Sequence, residues 1–385
     1  MLDNSESWYF KYAEEVKGGE NKNMKLFDKD NFSQPEVSAG KAEIANELVL
    51  DILQKYFADC EIKEIVKIGE TARHSENYKI SALCADEEKI LLLRKHLTLE
   101  PAQIEFYGRL AEEINMTGAP VSVPLKTVDK EFLVRTEDGI FQVFDFIDGN
   151  YFFPDEEAFR GAAEALAQLH ISFDKLDEQW RKEVEILSGR GDIYFNVIKE
   201  YSVEDFKEIE SIIARKDNQS EIDREILERM PSLVEAVLEQ KKYEKGIAGL
   251  PKQIIHSDMH PHNLLVKENQ IKAILDLGGM RVSQIARDVA FAIHRLGRQF
   301  FAQNILDVNK EEGKRLVGLF IKEYERVWPL SSEEKELMPI LIKDEFIRKI
   351  LFVLKGVYKD NNHAWADNLP KFLVAIDEIN FLWLS

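Results

Sequence analysis

Residues 256 to 263 read HSDMHPHN and place three histidines, one aspartate and one asparagine within eight positions. Two chemistries compete for such a stretch. His256, Asp258, His260 and His262 alternate, so in an extended strand all four would share a face, as the ligands of a metal cage must. Pro261 opposes that strand because it lacks a ladder donor. The spacing also lacks the HExxH pattern of a helical zinc site. The second chemistry takes His256, Asp258 and Asn263 in the order H-x-D-x-x-x-x-N. At that spacing an aspartate can accept the proton of an attacking hydroxyl and an asparagine can hold magnesium during phosphoryl transfer. Asp276 follows Asn263 by thirteen residues, at the end of the apolar run IKAILDLGG, where a second metal ligand is needed.

These residues need elements to position them. A helical pattern from near Ala39 carries Ile44, Leu48, Val49, Ile52, Leu53, Tyr56 and Phe57 on one face. EIKEIVKIG (61–69), NYKISAL (77–83) and KILLLRKH (89–96) then read as an antiparallel meander. A helix over 103–115 and further strands to about Asp145 complete a small α+β unit. After Gly149 the pattern turns mostly helical, beginning with the buried stripe Phe159, Ala162, Ala163, Leu166, Leu169 and His170. Asp217, Asn218 and Ser220 mark a connection between helices. Short strands flank HSDMHPHN on both sides, and Pro329, Pro339 and Pro370 are read as helix breaks beyond Ile285.

With IIHSDMHPHNLLV, AILDLGG and ARDVAFAI in this order, the chain resembles the aminoglycoside phosphotransferase and choline kinase family over about residues 60 to 300. The resemblance implies an α+β, bilobal protein-kinase-like fold, with a small N-lobe built on an antiparallel sheet and a larger, mostly helical C-lobe. On that basis residues 1–38 are an N-terminal extension, 39–148 the nucleotide-binding N-lobe, and 149–385 the C-lobe carrying the catalytic loop and acceptor-binding helices. It implies ATP and Mg²⁺ as cofactors, Asp258 as the catalytic base, and Asn263 and Asp276 as metal ligands. By the family's V-L-R or V-L-K pattern, Arg94 is the phosphate-side cation in preference to Lys95, with Glu105 as its partner carboxylate. Asp145, Phe146 and Ile147 fall near the adenine. His256 supports the loop, Asp288 anchors it through backbone or His256, and His260 and His262 are structural or exposed. The implied activity is ATP-dependent phosphorylation of a hydroxyl on an amino sugar, amino alcohol or sugar.

Two departures from the family are visible. The phosphate-covering stretch KIGETARHSENYKI contains only Gly69, and Asp276 is followed by Leu277, Gly278 and Gly279 where the family often has an aromatic residue and a further acid. A protein kinase shares the loop spacing, but neither D-F-G nor A-P-E occurs. A non-catalytic nucleotide-binding pseudokinase is opposed by retention of Asp258, Asn263 and Asp276.

Composition bounds the partners. The 385 residues, 45% apolar and 31% charged, suit about two globular domains. A formal charge of −19 argues against a nucleic-acid partner. It suits a cationic acceptor, which Trp365, Asp367, Glu378 and Trp383 are candidates to enclose. Cys60 and Cys84 lack CxxC spacing, so neither a disulfide framework nor a cysteine zinc site is expected. A leader pattern and a membrane-length apolar run are absent from the sequence, giving the expectation of a cytoplasmic protein with no membrane partner. The sequence does not fix the oligomeric state.

Overall fold

The computed structural model describes residues 44–68, 75–188, 198–303 and 310–383. The segment 1–38 and Gly69 lie outside the described residues.

Helix α1 (Asn46–Leu53) spaces Val49, Ile52 and Leu53 so that all three are buried together. They lie on a five-stranded antiparallel sheet of order β1-β2-β3-β5-β4, made of β1 (Cys60–Ile68), β2 (Ser75–Cys84), β3 (Glu87–His96), β4 (Val134–Thr136) and β5 (Gly139–Asp145). Tyr78 pairs with Leu93 and Leu93 with Val143, and all three enter the core under α1. Because strand side chains alternate, the neighbouring positions Asn77, Arg94 and Gln142, which also pair in register, take the opposite face.

The cysteines correct the sequence expectation, since Cys60 and Cys84 form a disulfide. They occupy facing positions where β1 and β2 pair. Their separation along the chain carried no such signal, because strand register alone brings them together.

Helix α2 (Pro101–Met116) begins with Pro101 and a capping box between Glu100 and Gln103. It buries Phe106, Leu110, Ala111 and Ile114 in a second, larger core formed mainly by helices. That core includes α3 (Glu156–Asp174), α4 (Glu178–Ser188), α5 (Val203–Ala214), α6 (Glu221–Gly249), α7 (Ile285–Gln303), α8 (Lys310–Glu325), α9 (Ser332–Lys359) and α10 (Leu369–Trp383). Asp155 caps α3 by accepting the Glu157 and Ala158 N–H groups, each at 3.0 Å.

Pro339 does not break a helix; it lies inside α9. An interior proline costs roughly 3 kcal/mol. Leu337, Met338, Ile340, Leu341 and Ile342 around it are buried, and their packing offsets that cost.

Two small sheets frame the HSDMHPHN segment. β7 (Lys252–Ile255) pairs antiparallel with β10 (Arg281–Gln284), and β6 (Asn150–Tyr151), β8 (Leu264–Lys267) and β9 (Gln270–Ile274) form the other. Glu268 and Asn269 close the β8–β9 hairpin with φ of 53° and 59°, as a two-residue turn with both central residues left-handed requires. The segment from 256 to 263 is therefore a loop between two anchored strands.

Candidate active site

Asp288, in the first turn of α7, fixes the start of the loop. Its Oδ2 accepts the His256 N–H and its Oδ1 the Ser257 N–H, both at 2.8 Å, and the carboxylate is fully buried. Burial pushes its pKa up, but His170, His256 and the backbone donor hold it below the usual carboxylate range. His170 in turn joins Asp288 at 3.1 Å and Tyr324 at 2.5 Å. His256 donates from Nε2 to the Leu275 carbonyl at 3.0 Å, which leaves Nδ1 to accept the Asp258 N–H at 3.3 Å. These bonds turn the chain so that Ser257 adopts a φ of 63°, and Asp258 projects beyond it.

Asn263 closes the loop. Its Nδ2 donates to the Asp258 carbonyl at 2.8 Å and its carbonyl accepts the Leu275 N–H at 2.9 Å. One bond thus fixes Asn263 to Asp258, and the next brings the strand ahead of Asp276 alongside. Ile274 is held by its own N–H to Pro120 O at 2.6 Å. Asp276 has a φ of 56°, a left-handed conformation that an aspartate tolerates through a local hydrogen bond, here from Gly278 N–H to Oδ1 at 3.0 Å. The glycines after it are explained by space. A Cβ on Gly278 would lie 3.0 Å from Asp276 Oδ1, and one on Gly279 3.3 Å from the His256 carbonyl. An acid at Gly278, where the family often has one, would need the Asp276 carboxylate to shift.

The four alternating polar residues do not converge as a cage. His256 points to Leu275, while His260 places Nε2 3.5 Å from Asp258 Oδ2 and accepts the His262 N–H on Nδ1. His262 packs edge-on to Tyr151. Sequence reasoning set His260 aside as structural or exposed; its contact with Asp258 was missed because Pro261 and the three-residue turn Pro261–Asn263 fold the chain back.

On the sheet side, Arg94 donates from Nε to Asn77 Oδ1 at 3.0 Å and stacks 5.4 Å from the Phe144 ring. The charge of Asp276 acts on it. Lys95 takes the other face, over Phe141. The expected Arg94–Glu105 ion pair is not made among the described residues. Glu105 Oε2 instead accepts the Phe132 N–H at 3.1 Å, and Phe132 O accepts from Gln142, which also bonds His96. Gln142 lies beside Arg94 in the register, so the carboxylate anchors this network one step removed from the cation. Asp145 is exposed, and the Phe146 N–H is bonded to the Ile90 carbonyl at 3.0 Å, so that donor is taken. Ile147, next along, is half-buried.

Asp258 keeps about a third of its side chain exposed, at 36%, although protein encloses it on its other sides. Burial raises its pKa to about 6; Asp276 adds to the rise, while Lys349, His256 and Arg295 oppose it. Lys349 on α9 and Arg295 on α7 were not singled out from the sequence. In Asp344/Arg348 and Glu345/Lys349 the i,i+4 charges look like a solvated helix face. All but the half-buried Arg348 are buried. Glu378, a candidate for a cationic acceptor, is fully buried and bound to Arg298 at 2.7 Å and His294 at 2.8 Å.

The donor set fits a hard cation. Asn263 Nδ2 is committed to Asp258 O, and Asp276 Oδ1 to Gly278, which leaves the amide oxygen of one and Oδ2 of the other; oxygen ligands suit magnesium.

Residues 77–319 match the model of the phosphotransferase enzyme family that includes aminoglycoside phosphotransferases, and the chain belongs to that family. Among solved structures, the chain is similar to an aminoglycoside phosphotransferase from Alicyclobacillus acidocaldarius, with 16% identity, 90% of this chain and 96% of that one covered, and a TM-score of 0.59. It is also similar to a spectinomycin phosphotransferase solved with ADP and spectinomycin, at 14% identity, 89% and 98% coverage and a TM-score of 0.60. An amicoumacin kinase solved with AMP-PNP and Ca²⁺ shares 10% identity, with 87% and 94% coverage and a TM-score of 0.57. At these identities the likeness establishes the fold. No curated protein matches the chain in sequence. Among the described residues, no helix is long and apolar enough to cross a membrane.

Proposed function

We propose that this chain transfers the γ-phosphate of ATP to a hydroxyl of a small molecule, of the size of the sugars, amino sugars and amino alcohols that its family resemblance implies. The observation that carries this is the tie between Asp258 and Asn263, 2.8 Å long, beside the strand that delivers Asp276. It holds a carboxylate facing open space next to two oxygen donors for a metal. Nucleotides and Ca²⁺ bound to related folds, as in the spectinomycin phosphotransferase and the amicoumacin kinase, support nucleotide and divalent-metal use here.

Asp258 orients the acceptor hydroxyl and takes its proton as the oxygen bonds to Pγ. The Pγ–O bond to the β-phosphate breaks, ADP leaves with the electron pair, and the proton passes to solvent. Asn263 and Asp276 would hold Mg²⁺, which supplies neutralisation of the phosphate charge. Arg94 places a planar cation on the nucleotide side, where a fork of donors fits phosphate oxygens. His256 and Asp288 keep the loop in shape.

ADP release in the presence of Mg-ATP and a panel of hydroxyl compounds tests this. Acceptor-dependent release that falls at least 10²-fold in Asp258→Ala is expected. Phosphate transferred to protein in place of the acceptor would instead favour a protein kinase.

A further inference from the structure

The β7–β10 strand pair ends just before Asp258 on one side and just after Asp276 on the other. Its register joins Lys252 to Gln284 and Ile255 to Arg281, so the next facing position of the same parity is Ser257 with Gly279. Bonded and non-bonded pairs alternate along an antiparallel ladder. The Ile285 N–H reaches the Pro251 carbonyl at 3.2 Å, which makes these two a bonded pair. Counted in twos from there, Gln253 with Ser283, Ile255 with Arg281 and Ser257 with Gly279 fall on bonded positions too. A continued ladder would carry the Ser257 N–H to the Gly279 carbonyl.

That donor is used elsewhere. The Ser257 N–H goes to Asp288 Oδ1 at 2.8 Å, and the backbone turns to a φ of 63°. The Ser257 hydroxyl donates to the Gly279 carbonyl in its place. A side chain thus makes the bond that the backbone gave up. Glycine adopts this φ without steric cost, whereas a residue with a Cβ does so rarely. Such a residue persists where its surroundings hold it, and Ser257 is held at both N–H and hydroxyl with 2% of its surface exposed.

The bond spans two segments of the candidate site. Asp258 follows Ser257 directly, and Gly279 ends the turn whose Gly278 N–H holds Asp276 Oδ1 at 3.0 Å. The two backbones run close here, since a Cβ on Gly279 would lie 3.3 Å from the His256 carbonyl and 3.4 Å from Asp258 Cβ. From α2, the Tyr107 hydroxyl reaches the Gly278 carbonyl at 3.4 Å, a longer and weaker hold.

We infer that Ser257 is a positioning residue: its hydroxyl sets the Asp276 turn against the Asp258 loop, so that proton acceptor and metal ligand keep one spacing. This rests on the kinase function proposed above. In-line transfer depends on that spacing, because a small misplacement of reacting groups lowers the rate strongly. Without the hydroxyl, the loop keeps its Asp288 anchor and the strand before Asp276 keeps its bonds to Asn263 and Pro120. The fold therefore survives, while the turn that orients Asp276 loses its tie to the base.

The test compares Ser257→Gly and Ser257→Ala with the unaltered full chain. Both lack the hydroxyl, but glycine accepts the left-handed backbone and alanine does not, so Ser257→Gly is expected to melt above Ser257→Ala. The functional defect is expected to be shared. In both variants the Mg²⁺ concentration that gives half of the ATP-dependent melting shift rises by about threefold or more, while the shift with ATP alone is unchanged. ADP release with Mg-ATP and the hydroxyl panel falls by about fivefold or more in both. An unchanged value of either reading in Ser257→Gly overturns the inference and leaves the kinase function standing. A defect in Ser257→Ala alone then assigns the position to its backbone, and lower turnover with an unaltered Mg²⁺ requirement separates the hydroxyl from Asp276. Absence of any magnesium-dependent ATP shift in the unaltered chain would remove the kinase site and this inference together.

Discussion

His260 directs Nε2 to within 3.5 Å of Asp258 Oδ2 while its Nδ1 accepts the His262 N–H. The backbone bond fixes the tautomer, so the proton lies on the side facing the carboxylate. Replacing His260 by alanine removes one restraint on the base and leaves the loop's own anchors. At 3.5 Å this is a long polar contact, worth at most about 1 kcal/mol, so kcat is expected to fall by no more than roughly fivefold with little change in the KM for ATP. Steady-state kinetics on His260→Ala checks this; an unchanged kcat would make the contact incidental.

The separation of Arg94 from Glu105 gives a different pattern from that of an ion-paired site. Glu105→Gln keeps an oxygen to accept the Phe132 N–H, so its KM for ATP should stay within about twofold. Arg94→Met should raise that KM tenfold or more, since it removes a charge-assisted phosphate contact worth about 1.5–3 kcal/mol. Equal damage from both substitutions would mean that the carboxylate and the guanidinium meet when nucleotide binds.

Much of the framework was legible in the sequence. The alternation in β2 and β3, the stripe on α3 and the loop between β7 and β8 are local patterns, written in side-chain period and turn chemistry. What was not legible depends on contacts between distant residues. Facing register makes Cys60 and Cys84 a disulfide, Phe132 draws Glu105 away from Arg94, and core packing keeps Pro339 in its helix. The charges on α7 and α9 went unnoticed for a related reason. Their spacing is that of an exposed helix, and it is the packing of these helices on each other and on their neighbours that buries them.

Asp344 offers a stability test. Burial pushes its carboxyl up, but Arg287, Arg348 and Tyr201 outweigh burial and bring it down to about 2. A carboxyl with a depressed native pKa adds stability above its unfolded value near 4 and loses it as pH falls through the native one. Denaturant unfolding of the unaltered chain and Asp344→Asn should therefore differ by on the order of 2 kcal/mol at pH 7, with the gap closing between pH 4 and 2. A gap independent of pH would contradict this electrostatic account.

The most direct test of the site is the melting temperature of the chain and of Asp258→Ala and Asp276→Ala, each with Mg-ATP, with ATP without metal, and with Mg²⁺ alone. A ligand at 100 times its Kd stabilises the native state by about 2.7 kcal/mol. The account predicts a magnesium-dependent ATP shift that survives in Asp258→Ala, where turnover is lost, and disappears in Asp276→Ala. A shift of equal size in all three proteins, or none in any, would contradict the placement of nucleotide and metal at Asn263 and Asp276.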